Sequence, residues 1–193
     1  MAKKLTDTDI VTGKVRISFP HLFEAYSSLN GDAKYSALLL IPKDDEETVS
    51  LMKEAANNAA KEGAARLWSG KIPKNLRSPL RDGDEEKDTE EHPEYANCYF
   101  LNCSSKKKPT VVRSMGKGQF VEIGPDDIKA GDYVKVDLNF YAYDKAGNKG
   151  VGVGLNNVFK VKDGESLGGS GFSASSAFAG EEEEDDDDDS FLD

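Results

Sequence analysis

Between Tyr133 and Tyr143 the chain alternates with a period of two. Val134, Val136, Leu138, Phe140 and Ala142 fall on one side of an extended segment, and Tyr133, Lys135, Asp137, Asn139, Tyr141 and Tyr143 on the other. This pattern predicts a strand over 132–143 with one face in a core and one in solvent. Asp144 to Asn148 predict its hairpin turn, and KGVGVGLNNVFKVK (149–162) the strand that runs back. Near the start, VTGKVRISF (11–19) alternates too, with Val11, Val15, Ile17 and Phe19 inward and Thr12, Lys14, Arg16 and Ser18 outward. A half-buried strand with a basic outer face is expected there. After a turn at Asn30-Gly31, AKYSALLLI (33–41) predicts a second, more deeply buried strand that Pro42 ends. YANCYFLNCS (95–104) predicts a third, and TVVRS and GQFVEI two short ones around GKG.

One segment carries helical spacing instead. In DDEETVSLMKEAANNAAKEGAARLW, acids occupy the first turn and Val49, Met52, Ala56, Ala59 and Ala60 recur at helical intervals, which predicts a helix over about 44–61 continuing toward Trp68. Residues 69–94 contain three prolines and many charges and predict a long irregular surface connection. Short strands with one helix inserted after the second predict a mainly β fold, a small Greek-key barrel with long loops. From Gly168 a Gly/Ser/Ala stretch leads into EEEEDDDDDSFLD, so the organisation expected is a domain over 1–166 and a flexible linker with a disordered acidic tail over 167–193.

Charge changes this picture in one respect. The net charge of -11 argues against nucleic acid until its distribution is considered. The last thirteen residues hold ten acids and no base, which leaves residues 1–180 with 25 basic against 26 acidic side chains. The body is therefore nearly neutral, with acids clustered at 44–47 and 82–91 and the remaining segments locally basic. Such asymmetry points to an interaction tail and a separate binding face. The chain has no stretch of roughly 20 apolar residues and no apolar leader, which predicts a cytoplasmic protein without a membrane partner. Cys98 and Cys103 share one predicted strand and suit reduced thiols.

The candidate chemistry lies on the outer face of strand 132–143. Tyr133, Tyr141 and Tyr143 with Lys135 and Asn139 combine rings, a cation and an amide, the mixture that suits single-stranded nucleic acid, where bases stack on aromatics and cations neutralise phosphates. Lys14 and Arg16 extend this face on the first strand, and Arg77, Arg81, Lys106 and Lys107 add basic loops. Gly152 and Gly154 alternate with Val151, Val153 and Leu155, which either bares the strand for another chain or lets a barrel bend. Catalytic readings fare worse. Asp82, Asp84, Glu85 and Glu86 lack the spacing of a calcium loop and are read as solvated loop acids. His21, His92, Cys98 and Cys103 lack a C-x2-C pair, and no nucleophile motif is present. A non-enzymatic protein with no metal or cofactor is expected.

The stretches VTGKVRISFPHLFEA, IPKNLRSPLRDGDEE and NFYAYDKAGNKGVGVGLNNVFKVKDGESLGG resemble a family of bacteriophage single-stranded-DNA-binding proteins over most of residues 10–169. The resemblance implies an OB-fold, a five-stranded Greek-key barrel with extra elements, sequence-tolerant ssDNA binding in phage replication and recombination, and an acidic tail that contacts replication proteins. In that tail the partner-binding candidates are Asp188, Asp189, Phe191 and Leu192, with Asp193 rather than an aromatic at the end. The alternative from a different class is an acidic interaction module or DNA mimic that binds no ssDNA itself.

Overall fold

In a computed structural model of the chain, residues 1–167 are described apart from Ser28 and Asn30. Two short strands, β1 (Lys3–Lys4) and β2 (Asp9–Val11), precede the long β3 (Val15–Tyr26) and β4 (Lys34–Pro42). Helix α1 (Glu46–Arg66) follows, then a connection carrying β5 (Arg81–Asp82), the single turn α2 (Gly83–Glu86) and a 3-10 turn at Pro93–Tyr95. β6 (Cys98–Ser105), the hairpin β7 (Thr110–Gly116) and β8 (Gln119–Glu122), and the long pair β9 (Tyr133–Lys145) and β10 (Asn148–Lys162) complete the order.

Five of these strands close on themselves. β3 lies antiparallel to β4, β4 to β6 and β10 to β9, while β6 meets β10 in parallel at Ser104 and Gly154. The seam is Val15 opposite Val134, where the first long strand meets the ninth. This order, with one parallel contact among four antiparallel ones, is the Greek-key barrel of an OB-fold. The predicted fold class is what the structure has. β7 and β8 extend the sheet where β6 leaves off, β7 running parallel to the end of β10 from Asn157 to Lys160.

The inward residues of β9, Val134, Val136, Leu138 and Phe140, are all but inaccessible and pack with Ile10, Val15, Ile17, Leu39, Ile41 and Leu155. Small residues let α1 close one side of this core. Ala55, Ala59, Ala60 and Ala64 are buried, and a Cβ on Gly63 would overlap that of Ala142 on β9. Trp68 is buried beyond the helix and its Nε1–H donates to the carbonyl of Tyr143 at 3.3 Å. At the other end, Asp45 caps the helix by accepting from the Thr48 backbone N–H at 3.1 Å. The Thr48 hydroxyl donates to Asp45 at 2.6 Å and accepts from the Gly13 N–H at 2.9 Å, which joins the helix start to the barrel.

Several local expectations are corrected. Residues 11–19 are not one alternating strand. The chain breaks at Thr12-Gly13-Lys14, and Thr12 is buried, its Oγ1 accepting from the Val136 N–H at 3.0 Å. Ser18 is also buried and Phe19 is exposed, the reverse of the expected faces. α1, by contrast, ends at Arg66 within its expected continuation toward Trp68, because alanines continue its buried stripe. The acids at 82–86 are not simply solvated. Lys43 holds both Asp82 and Asp84 at 2.7 Å, and Asp84 also accepts from the Asn97 N–H at 3.0 Å. Lys43 lowers both carboxyls from their ordinary range, and they in turn raise the lysine. The connection is thus pinned to the barrel at its middle. The expected turn at Asn30-Gly31 involves Asn30, which lies outside the described residues, as does the linker and tail expected over 167–193 except for Leu167, whose N–H donates to the Ala130 carbonyl at 3.0 Å.

Candidate nucleic-acid interface

The outward face of β9 meets a strand with almost no side chains. Asn139, Tyr141 and Tyr143 stand directly opposite Gly154, Gly152 and Gly150 of β10. A Cβ built on Gly152 would lie 2.6 Å from Cζ of Tyr141, and one on Gly150 2.5 Å from Cζ of Tyr143. The phenol ends therefore lie across the backbone of β10, where any larger residue would lift them. The glycines are a bed for the two rings, a role that neither baring the strand nor bending it describes. Burial, with Tyr143 beside it, raises the phenol of Tyr141 above its ordinary value.

Two clefts adjoin these rings. Tyr143 and Gly150 wall one of about 370 Å³ together with Asn75, Arg77, Arg81, Lys149 and Asn102. Tyr141 walls the other, of about 490 Å³, together with Phe19, His21, Tyr26, Ser36 and Asn102. Gly152, Val153 and Asn102 belong to both, so the clefts form one trough across β10, β6, β4 and β3. Its floor is polar where apolar strands are interrupted, at Ser36 and Asn102. Its walls are aromatic: Phe19, Tyr26 and Tyr141 are exposed, and His21 stacks on Tyr26 with centroids 4.7 Å apart and planes 21° from parallel.

Cations line its Tyr143 side. Arg77 is exposed and makes no hydrogen bond or ion pair among the described residues, whereas Arg81 is held by Glu86 at 2.6 Å and lies 4.8 Å over the Phe100 ring. Lys149 is exposed beside Gly150. Beyond Ser104, where the lining on β6 ends, Lys106 pairs with Asp32 at 3.2 Å, Lys107 is exposed and Lys108 lies 5.7 Å over the Phe23 ring. Exposed pairs such as these exchange readily for other anions, since each contributes at most about 1 kcal/mol.

The other expected residues form a separate cluster. Tyr133, ten residues from Tyr143 and so about 33 Å along the strand, is ringed by Lys14 at 5.5 Å, Arg16 at 5.6 Å and Lys162 at 4.9 Å. Arg16 is committed to backbone, donating to Gly131 O at 3.1 Å and Glu165 O at 2.7 Å. Lys135 lies between the two groups, opposite Phe159. Of the expected residues the trough is thus walled by Tyr141, Tyr143, Arg77 and Arg81; Asn139 lies opposite Gly154 on the same face, Lys106 and Lys107 follow Ser104 beyond the lining, and Lys14, Arg16 and Tyr133 lie at the other end of β9. Asp188, Asp189, Phe191 and Leu192 lie outside the described residues.

Sequence reasoning missed Phe19, His21, Tyr26, Asn102 and Lys149. For Asn102 a signal exists, a single amide inside the apolar run YFLNCS. For Phe19 the only hint is the proline that follows it.

The family model for the ssDNA-binding protein of Enterobacter phage Enc34 matches residues 8–191. A protein named p50 from Acyrthosiphon pisum secondary endosymbiont phage 1 is 31% identical over 175 residues, covering 88% of this chain and 91% of that protein. Among solved structures, the single-stranded DNA-binding protein from bacteriophage Enc34 in complex with ssDNA superposes with a TM-score of 0.71 at 25% identity, covering 86% of this chain and 96% of that one. The gp2.5 single-stranded DNA binding protein of bacteriophage T7 shares the fold, with a TM-score of 0.55 at 18% identity over 93% of this chain and 97% of that one. On the extent of these matches, the chain belongs to the family of the Enterobacter phage Enc34 ssDNA-binding protein.

Proposed function

We propose that this chain is a non-enzymatic, sequence-tolerant single-stranded-DNA-binding protein that coats and protects ssDNA in phage replication and recombination within the cytoplasm of a bacterial host. The observation that carries the reading is the trough itself. Exposed rings lie along it and Arg77, Arg81 and Lys149 line its Tyr143 side, in a chain whose Enc34 relative is solved with ssDNA. Bases stacked on Tyr141 and Tyr143 contribute about 1–3 kcal/mol each, and every base has a face that can stack, so recognition is of single strands and not of sequence. Arg77, Arg81, Lys149, Lys106 and Lys107 take the phosphates, and Lys14, Lys162 and Lys135 offer a further basic surface toward Tyr133.

Glu181–Asp189 then serve as an internal phosphate mimic, because nine successive carboxylates compete for the cations that ssDNA uses. When DNA displaces them, the acids with Phe191 and Leu192 become available to a replication protein. Salt titration of full-length and tail-deleted protein (residues 180–193 removed) against ssDNA, ssRNA and duplex tests this. The expected result is preference for single strands, a fall in log K of about 0.7 per neutralised phosphate per decade of salt, and tighter ssDNA binding without the tail at low salt. Duplex preference or no salt dependence refutes the ssDNA reading. Unchanged affinity on tail removal refutes the mimic. An acidic interaction module would bind no ssDNA in either form.

A further inference from the structure

Phe19 has an unusual backbone and, among the described residues, no ring or cation partner in its own fold. Its φ is +45, in the left-handed region that a bulky side chain rarely enters, and it precedes Pro20, which restricts it further. The cause lies in strand register. Ser18 pairs with Leu38 and His21 with Ser36, so three steps on β3 oppose two on β4, which is a bulge of one residue. Before it the odd residues Val15 and Ile17 point into the core; after it the even residue Leu22 does. Uninterrupted alternation would bury Phe19. The bulge instead turns it out, 65% exposed, with no aromatic or cationic partner among the described residues.

The position is specific. Phe19 closes the Tyr141 side of the trough and also walls a neighbouring hollow of about 680 Å³, which Arg16, Ser18, His92 and Pro93 line together with the acids Glu91, Glu94 and Glu165. It is a post between the two spaces.

We infer that Phe19 is a base-stacking residue which takes an unpaired nucleobase against its ring and marks the edge of the strand's path at the Tyr141 side of the trough, because the glutamates of the neighbouring hollow repel phosphates. The inference rests on the ssDNA reading above. Strain stored at a position without intramolecular return is expected where a ligand supplies the return. It also predicts opposite signs for stability and binding, which a merely structural residue would not show.

The test compares full-length wild type with F19A, F19G and F19W, by anisotropy of a labelled oligothymidylate and by thermal unfolding. F19A and F19G should weaken ssDNA binding about 5- to 150-fold, the loss of one stacked base. F19G should also unfold at a higher temperature, because glycine adopts positive φ without strain. F19W should retain affinity, and its indole emission should be quenched by ssDNA, over the constant background of buried Trp68. Wild-type affinity in both F19A and F19G overturns the inference while leaving the ssDNA reading intact. So does an F19W that binds DNA without quenching. Failure of wild type itself to bind ssDNA overturns the functional reading instead.

Discussion

Replacing Gly152 by alanine adds one methyl group at the most informative position of the trough. The new Cβ would stand 2.6, 2.7 and 2.8 Å from Cζ, Oη and Cε2 of Tyr141. Carbon atoms in contact rest at about 3.5–4.0 Å, so the ring must retreat by about 1 Å. That movement is cheap for the fold. The clash is with the far end of an exposed side chain, and alanine in a strand is favoured over glycine by about 0.5–1 kcal/mol, so stability should change by less than about 1 kcal/mol. Binding should change more, because a stacked base must follow the ring or lose it, and about tenfold weaker ssDNA binding is expected from a stack worth about 1–3 kcal/mol. The assay is a double-mutant cycle of G152A and Y141A read by oligonucleotide anisotropy, with thermal unfolding as the control. If the methyl acts through the ring, G152A has no further effect in the Y141A background. Equal losses in both backgrounds, or wild-type affinity in G152A, would refute the claim that Gly152 exists to seat Tyr141.

Three further outcomes follow from polar and thiol groups elsewhere. Asp132 is buried, which alone would raise its pKa, yet hydrogen bonds from Lys129, Gly164 and Lys160 outweigh burial and hold it at about 2. A depressed carboxyl contributes stability above its ordinary pKa of about 4 that is lost as pH falls toward 2. D132N should therefore cost about 2 kcal/mol at neutral pH and flatten the melting temperature between pH 4 and 2; a parallel shift at all pH values would contradict this. D45A, which removes the cap of α1 and the partner of Thr48, should cost about 1–2 kcal/mol by urea unfolding. The Cys103 thiol is pushed up to about 12 by burial and Cys98 is raised for the same reason, so neither should react quickly with a thiol reagent at pH 8. Rapid labelling of Cys103 in the native protein would show that its site opens.

What could be read from the residues was whatever rests on period alone. β9 is legible because its two faces are chemically pure, and α1 because acids and alanines agree on its start and stripe. Fold class follows from the order of such elements. The failures cluster where one residue shifts the phase. An extra residue between Ser18 and His21 moves Phe19 from core to trough, and nothing in VRISFPHLF announces the shift except Pro20. Likewise the partition of Tyr133 from Tyr143 is invisible in the alternation they share. Both are outward on β9, but a strand of thirteen residues coils far enough around a barrel to present its two ends to different neighbours. Pairings such as Lys43 with Asp82 and Asp84 join residues about forty positions apart and have no local signature.

The seam at Val15 and Val134 has a bearing on how the molecule comes into being. These partners are separated by well over a hundred residues, so the loop they close is among the costliest the chain forms, and barrels held by such distant pairings are slow to fold. During synthesis β3, β4 and α1 emerge early, but the trough draws walls from β3 and β4 at one end of the chain and from β9 and β10 at the other. On the proposed reading, no chain still lacking β10 can hold a nucleic-acid strand in it. The trough is complete only when β9 has docked beside β3 and β10 has paired with β9, and the acidic segment is made after both.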